Sequence, residues 1–355
     1  MKQTLIKVGA VISALTLMAS LTSCSSSGTK SYNAGSTTGP TAKNLVFGYV
    51  SPGPDTWYKR DVQGFKYAAD KYGVKVVELN SQYDQQKELQ NVQSLVGKEV
   101  NGISMFSFNN NGALMAAQQG QKAGIPVVLT DNVGNAMAHG AKVVASVDFD
   151  WCGMGKSYAR EMAEKWPGQN FAMIAGNFEA PPTKMLDDCM IAEAKSLGKN
   201  KNVFLQQTMY NTETAVNQAQ SLIASGKDFG VLFVMNDDMG AAVAQVLKSK
   251  GLSDKVHLMT QNGSDVGIQM LKNNQLAYTI SSSPGWEGTV AFLNLYAAAT
   301  GKLPSNGNRQ ITLPVMPIDA SSPLNNKAIV VPWAADPVYW DLNKKYFPDL
   351  VPTSK

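Results

Sequence analysis

The side chains best suited to chemistry fall in short clusters at the ends of β-branched runs. The first is Ser51-Pro52-Gly53-Pro54-Asp55-Thr56-Trp57-Tyr58, followed by Ser107-Phe108-Asn109-Asn110 and Asp131-Asn132. Further along come Tyr210, Asn236-Asp237-Asp238, Gln261-Asn262 and Ser281-Ser282-Ser283. These are acids, amides, hydroxyls and aromatics, with almost no fixed positive charge. A carboxylate or an amide can engage two vicinal hydroxyls, and an aromatic face covers the C–H face of a sugar ring. A phosphorylated or carboxylated ligand would call instead for arginine or a helix-terminus nest. A neutral polyhydroxylated small molecule suits this set. Each position also has a plainer use. Asn236-Asp237-Asp238 can cap a helix, Asp131-Asn132 can form a turn, and Trp57 and Tyr58 can be core.

The elements that must position these groups alternate. Strands are expected at 45–50, 74–79, 103–106 and 127–130, with amphipathic helices at 57–71, 84–98 and 111–122 between them. In the second of these helices Leu89, Val92, Leu95 and Val96 share one face, the stripe of a packed helix. Gly73 and Gly124 stand just past helix ends, where a left-handed cap favours glycine. The pattern then repeats with strands at 171–174, 204–208, 230–235, 256–260 and 276–280. Helices are expected at 153–166, 183–196, 212–225, 239–249, 265–273 and 286–300. Near-continuous apolar strands point to parallel sheets covered on both faces. Two such series predict an α/β chain of two doubly wound parallel-sheet lobes. Crossings between lobes are expected near Ala145–Asp150, Ser281–Pro284 and Leu313–Val315. The first lobe is then 44–147 plus 284–313, and the second 148–283 plus 314–355. In open parallel sheets ligands bind beyond the carboxyl ends of the strands, where the clusters above lie.

The chain begins with a different signal. Lys2 and Lys7 precede an apolar run from Val8 to Leu21, too short for a stable bilayer span, and then Leu21-Thr22-Ser23-Cys24. This resembles the lipobox of bacterial lipoproteins, which implies a signal peptide over 1–23 and lipidation of Cys24. Residues 24–43 are rich in serine, threonine and glycine and read as a flexible linker. The chain has 3 cysteines, so Cys152 and Cys189 are left as a pair. A disulfide and two buried thiols are both open readings.

The Tyr49–Tyr58 stretch, Leu79-Asn80-Ser81-Gln82 before Asn91-Val92-Gln93, Gly124-Ile125-Pro126-Val127 leading to Asp131, and Phe233-Val234-Met235-Asn236-Asp237-Asp238-Met239 together resemble the ribose-binding-type periplasmic proteins. These are type I substrate-binding proteins of sugar ABC importers, and the likeness runs from about Leu45 to Ile280. It implies the periplasmic binding protein type I fold, with three crossings forming a hinge. It implies Trp57 and Tyr58 as stacking aromatics, Asp131 as the acid on ring hydroxyls, Tyr210 as the second lobe's aromatic, and Asn236 as its amide. Asp55 stands where an asparagine is common, and Asn132 where ribose binders carry an arginine. Near Leu186, where another arginine is usual, Lys184 and Asp188 are candidate substitutes. Asn262 replaces an aspartate and Ser282 a glutamine. With Ser107, these make the expected ligand set: Asp55, Trp57, Tyr58, Ser107, Asp131, Asn132, Lys184, Tyr210, Asn236, Asn262 and Ser282. The altered set argues against ribose itself, because a buried donor or acceptor without a partner costs about 1–3 kcal/mol. Ile329–Trp333 and Tyr339-Trp340-Asp341 look like the extended ends of rhamnose- or autoinducer-2-type relatives.

The resemblance thus implies a monomeric extracytoplasmic receptor. It would be held at the periplasmic or outer face of the cytoplasmic membrane by its lipid, and would deliver a neutral sugar or polyol to a membrane permease. A sensor of sugar or of an autoinducer-2-like ligand, signalling to a membrane kinase or chemoreceptor, is the alternative. No cofactor or metal is expected. The net charge of +4 is spread without basic runs, which argues against nucleic acid. The chain has no nucleophile elbow, zinc-protease motif or phosphate loop. Its 2 histidines are far apart in sequence, so catalysis is not indicated.

Overall fold

The computed structural model describes residues 44–132, 134–322, 333 and 336–351. The expected signal peptide, Cys24, the linker and residues 329–332 lie outside them. The first lobe's strands are β1 (Val46–Ser51), β2 (Lys75–Asn80), β3 (Gly102–Phe106), β4 (Val127–Thr130) and β5 (Ala145–Phe149). Its helices are α1 (Thr56–Tyr72), α2 (Gln85–Gly97), α3 (Asn110–Ala123) and the single turn α4 (Asn135–Ala138). The second lobe interleaves α5 (Trp151–Lys165), β6 (Phe171–Ala175), α6 (Pro181–Leu197), β7 (Asn202–Gln207), α7 (Thr212–Ala224), β8 (Val231–Val234), α8 (Asp237–Ser249), β9 (His257–Asn262), α9 (Asp265–Lys272) and β10 (Tyr278–Ser281). The chain then continues through α10 (Pro284–Ala299), β11 (Arg309–Leu313), β12 (Met316–Asp319) and α11 (Asp336–Tyr346).

Two six-stranded sheets result, ordered β11-β5-β4-β3-β1-β2 and β12-β10-β9-β8-β6-β7. Every pairing is parallel except β10 with β12. Strand order reverses beside β1 in one sheet and beside β6 in the other, so each sheet has a switch point with a crevice at its carboxyl edge. The chain passes between sheets after β5, after β10 and between β11 and β12. These are the three crossings expected from the sequence.

Local chemistry explains the helix ends. Gly73 (φ 65°) and Gly124 (φ 69°) take the left-handed conformation past α1 and α3. Asp84, Asn109, Asp150, Asn211, Asn236 and Ser264 each accept a backbone N–H from the turn they open. Helix α10 is mostly apolar and almost wholly buried, with Glu287, Thr289 and Asn294 as its buried polar residues. It lies against α1 at backbone distance. A Cβ at Gly64 would sit 2.0 Å from the Gly285 carbonyl oxygen, and one at Gly288 2.1 Å from that of Asp61.

The sequence reading needs correction at the edges. Residues 145–149 form a full strand rather than only a crossing, because Ala145, Val147 and Phe149 are completely buried between neighbours. β11 and β12 add an edge strand to each sheet, and α4 and α11 are additional helices. The tail also divides. β12 joins the second sheet, but α11 packs on α1 and α10 of the first lobe, not on the second. There Tyr339 is fully buried and the Arg60 guanidinium lies 5.1 Å from its ring centre.

Cys152 on α5 and Cys189 on α6 are joined as a disulfide, with Cα atoms 5.2 Å apart and a sequence separation of 37. Opening a loop of this length should lower the unfolding free energy by about 2–4 kcal/mol. Urea denaturation with and without reductant measures it. An unchanged midpoint would mean that the α5–α6 contacts suffice alone.

Candidate functional site

A cavity of about 310 Å³ opens where the carboxyl edges of the two sheets meet. That is the low end of the range for small-molecule sites, roughly 300–1,000 Å³. The first lobe contributes Pro54, Asp55, Thr56, Trp57 and Tyr58 from the β1–α1 connection and the start of α1. Phe106 comes from the end of β3, and Asp131 follows β4. The second lobe contributes Trp151, Pro182, Tyr210, Thr212, Met235, Asn236, Asp238, Gln261 and Asn262. Among the described residues no lysine, arginine or histidine lines it.

Each polar group is held for a reason. Asp55 occupies the N-cap position of α1 but does not cap it; its carboxylate accepts from the Tyr83 hydroxyl instead. Burial raises its pKa, and Asp238 across the cleft adds to the rise. Asp131 sits at φ 48°, a backbone region uncommon for aspartate. Its Oδ1 accepts from the Trp151 indole at 2.8 Å, while Oδ2 is buried with no protein partner. Burial, with Asp148 next in weight, drives its pKa well above the usual carboxylate range. Tyr210 (φ 58°) and Asn262 (φ 123°) are likewise in the left-handed half of backbone space. Strained backbone of this kind clusters at functional sites.

The Tyr210 hydroxyl is 2.8 Å from Thr183 Oγ1. The Asn236 side-chain oxygen caps α8 by accepting from the Met239 N–H at 2.8 Å, which leaves its amide N–H groups for a ligand. Gln261 donates to Ser282 Oγ at 2.5 Å, which leaves the glutamine oxygen as an acceptor. Trp57 makes edge or tilted contacts with Phe149, Trp151 and Trp333, with centroids 5.9–6.2 Å apart. Tyr58 packs edge-on to Phe106 at 4.9 Å.

Seven of the expected residues therefore meet at the cavity: Asp55, Trp57, Tyr58, Asp131, Tyr210, Asn236 and Asn262. Four do not line it. Ser107 donates to the buried Glu88 at 2.8 Å. Asn132 accepts the Ala136 N–H at 2.7 Å, in the first turn of α4. Lys184 is on the exposed face of α6, paired with Asp188 at 2.6 Å. Ser282 is fully buried and acts only through Gln261. The neighbouring Asp237 is also structural, accepting from Thr260 and Ser264.

Trp151 is the main residue that sequence reasoning missed. Its signal was Asp150 followed three residues later by Gly153, the cap that starts α5 at Trp151 rather than at 153. Asp238 and Gln261 stood in strand-end clusters but were passed over for their neighbours.

Residues 47–303 match the model of the periplasmic binding protein domain family. The chain belongs to this family. The chain is 27% identical over 293 residues to the fructose import binding protein FruE of Bifidobacterium longum, covering 78% of this chain and 84% of that one. It is 24% identical over 244 residues to the ribose import binding protein RbsB of Escherichia coli, covering 68% and 80%. The fold is also that of an ABC transporter solute binding protein from Burkholderia graminis in complex with D-arabinose. The TM-score there is 0.74 at 18% identity, over 81% of this chain and 99% of that one. A solute binding protein of Bacillus halodurans with bound myo-inositol gives 0.72 at 16% identity, over 79% and 96%. The family is one of binding proteins, extracytoplasmic in location. Among the described residues no helix is long and apolar enough to cross a membrane.

The geometry puts Trp151 at the cavity and Lys184 away from it. Trp151→Phe removes the donor to Asp131 and should weaken ligand binding by roughly tenfold, whereas Lys184→Ala should change it less than about twofold. Calorimetric titration of both variants tests this. Equal losses would return Lys184 to the site.

Proposed function

We propose that this binding protein closes on a neutral monosaccharide or polyol and delivers it to the permease of an ABC importer. The observation that carries the reading is the cavity lining: three carboxyl groups, amides and aromatics from both lobes, with no basic side chain among the described residues. Such a set matches hydroxyls and the apolar face of a ring, and it repels anionic ligands. That relatives are sugar import binding proteins, and that neighbours in fold were solved with D-arabinose and myo-inositol, supports the same class.

The mechanism follows from the crossings. Residues 44–147 and 284–313, with α11, form one jaw; residues 148–283 with β12 form the other. Ligand contacts made by both jaws favour the closed state over the open one, and only that difference can drive closure. The Trp151–Asp131 hydrogen bond joins the first residue of one jaw's α5 to the other jaw's β4 end, next to the hinge. The Leu21-Thr22-Ser23-Cys24 motif supports a lipid anchor at Cys24 with residues 24–43 as a leash. Such a tether keeps the clamp near its partner and raises their effective concentration.

A thermal-shift screen of the 44–355 fragment against pentoses, hexoses, deoxysugars and polyols should find a stabilising neutral ligand. At 100 times its dissociation constant a ligand adds about 2.7 kcal/mol. Asp131→Ala should abolish the shift. Stabilisation only by anionic sugars would sink the reading. For the anchor, detergent phase partitioning of full-length protein should move from the detergent to the aqueous phase on Cys24→Ser. Aqueous partitioning of the unaltered protein would refute lipidation.

A further inference from the structure

Behind the cavity floor four acids from four elements are buried together: Asp61 of α1, Asp131 after β4, Asp148 of β5 and Glu287 of α10, none more than 6% exposed. Their donors are unevenly shared. Asp61 accepts from the Tyr49 hydroxyl, and Asp148 from Ser146 Oγ at 2.7 Å. Asp131 has the Trp151 indole on Oδ1, while its Oδ2 and both Glu287 oxygens are buried without a well-formed hydrogen bond; only the backbone N–H groups of Phe149 and of Asp131 approach the two carboxyls. Arg60, which also pairs with Asp336 of α11, is the cation that acts on Asp61. The other titratable groups that face the cluster are Tyr49, the Tyr210 hydroxyl from the second lobe and, in front, Asp55. Four carboxylates cannot all stay ionised in such a volume, because each charge is desolvated and repels the rest. The two with the poorest donor supply are the ones to keep protons.

We propose that Asp131 meets its ligand as the neutral acid, donating the proton on its unpartnered Oδ2 to a sugar oxygen, with Glu287 behind it holding a second proton. This rests on the sugar reading above and deepens it. Where no arginine or lysine is among the described lining residues, a protonated carboxyl supplies a strong donor without adding charge. Nothing is transferred: the proton stays on Asp131 and completes a hydrogen bond. Burial and the neighbouring acids both raise the pKa of Asp131 and of Glu287. The sign follows. Affinity is full where Asp131 is protonated, below its raised pKa, and is lost as pH rises through that value.

The test uses calorimetry on the disulfide-intact protein with the best neutral ligand from the screen, from about pH 5 to about pH 9 in buffers of differing ionisation heat. The dissociation constant should be flat at low pH and rise by up to about tenfold per pH unit above the break, with proton uptake on binding. Asp131→Asn keeps a donor at the same atom, so its profile should flatten and its affinity fall at most about tenfold. Asp131→Ala should fall by roughly a hundredfold. An affinity that improves as pH rises, proton release on binding, or an Asn variant as weak as the Ala variant overturns the proposal; a profile flat to about pH 9 supports it only together with the carboxyl band described next. Infrared spectroscopy of ligand-free protein gives a readout that needs no ligand and no variant binding. A protonated-carboxyl band at neutral pH that Asp131→Asn removes supports the neutral acid; no such band overturns it. A panel with no neutral binder overturns the sugar reading, whereas a missing band overturns the neutral Asp131 whatever the panel shows, so the two failures are told apart.

Discussion

Burying carboxyl groups without a matching set of cations is the constraint around which this cleft is built. A buried acid needs donors, a proton or a counter-ion, and the fold distributes all three. Tyr49, Ser146 and Trp151 supply donors to Asp61, Asp148 and Asp131, and Arg60 supplies charge. The donors sit on three different elements, β1, β5 and α5. The groups stay satisfied only while β1, β5 and the start of α5 keep their relative places. That makes the region around the first crossing both a mechanical and an electrostatic centre. Asp131 itself takes a left-handed backbone to present its carboxyl there.

The close approach of α1 and α10 serves the same end. Gly64, Gly285 and Gly288 let two helices touch backbone to backbone, which draws Asp61 and Glu287 toward the β4 and β5 ends. Larger residues at those glycines would push the helices apart. The acids would then reach water, and the cavity floor would lose its low-dielectric character. Packing and pocket chemistry are here the same interaction seen from two sides.

Much of this was legible in the sequence. Continuous β-branched runs broken by glycine and by amide caps marked most strands and helices, because short-range chemistry decides them. The strand-end rule then placed Asp55, Trp57, Tyr58, Asp131, Tyr210, Asn236 and Asn262 around one crevice. What failed was side-chain direction. Ser107, Asn132 and Ser282 stand at strand ends too, but each turns to a local partner, Glu88, the Ala136 amide or Gln261. Lys184 belongs to the right helix and the wrong face. Edge strands β11 and β12 carry few apolar residues, so nothing in their composition distinguished them from loop. Glu287 gave no warning at all, since an acid in the first turn of a helix normally reads as a solvated partner of the helix dipole.

The tail helix α11 lies outside the cleft, yet it reaches the chemistry inside. Asp336 takes a share of Arg60, and Tyr339 covers the same guanidinium. Arg60 is therefore held between an acid of the tail and the acids under the cavity, and its charge is divided between them. A segment that touches no ligand thus acts as a counterweight. By drawing positive charge outward it leaves the acids under the cleft with less cationic support, which favours their protonated forms. The C-terminal extension is in that sense part of the binding chemistry, exerted through a single arginine.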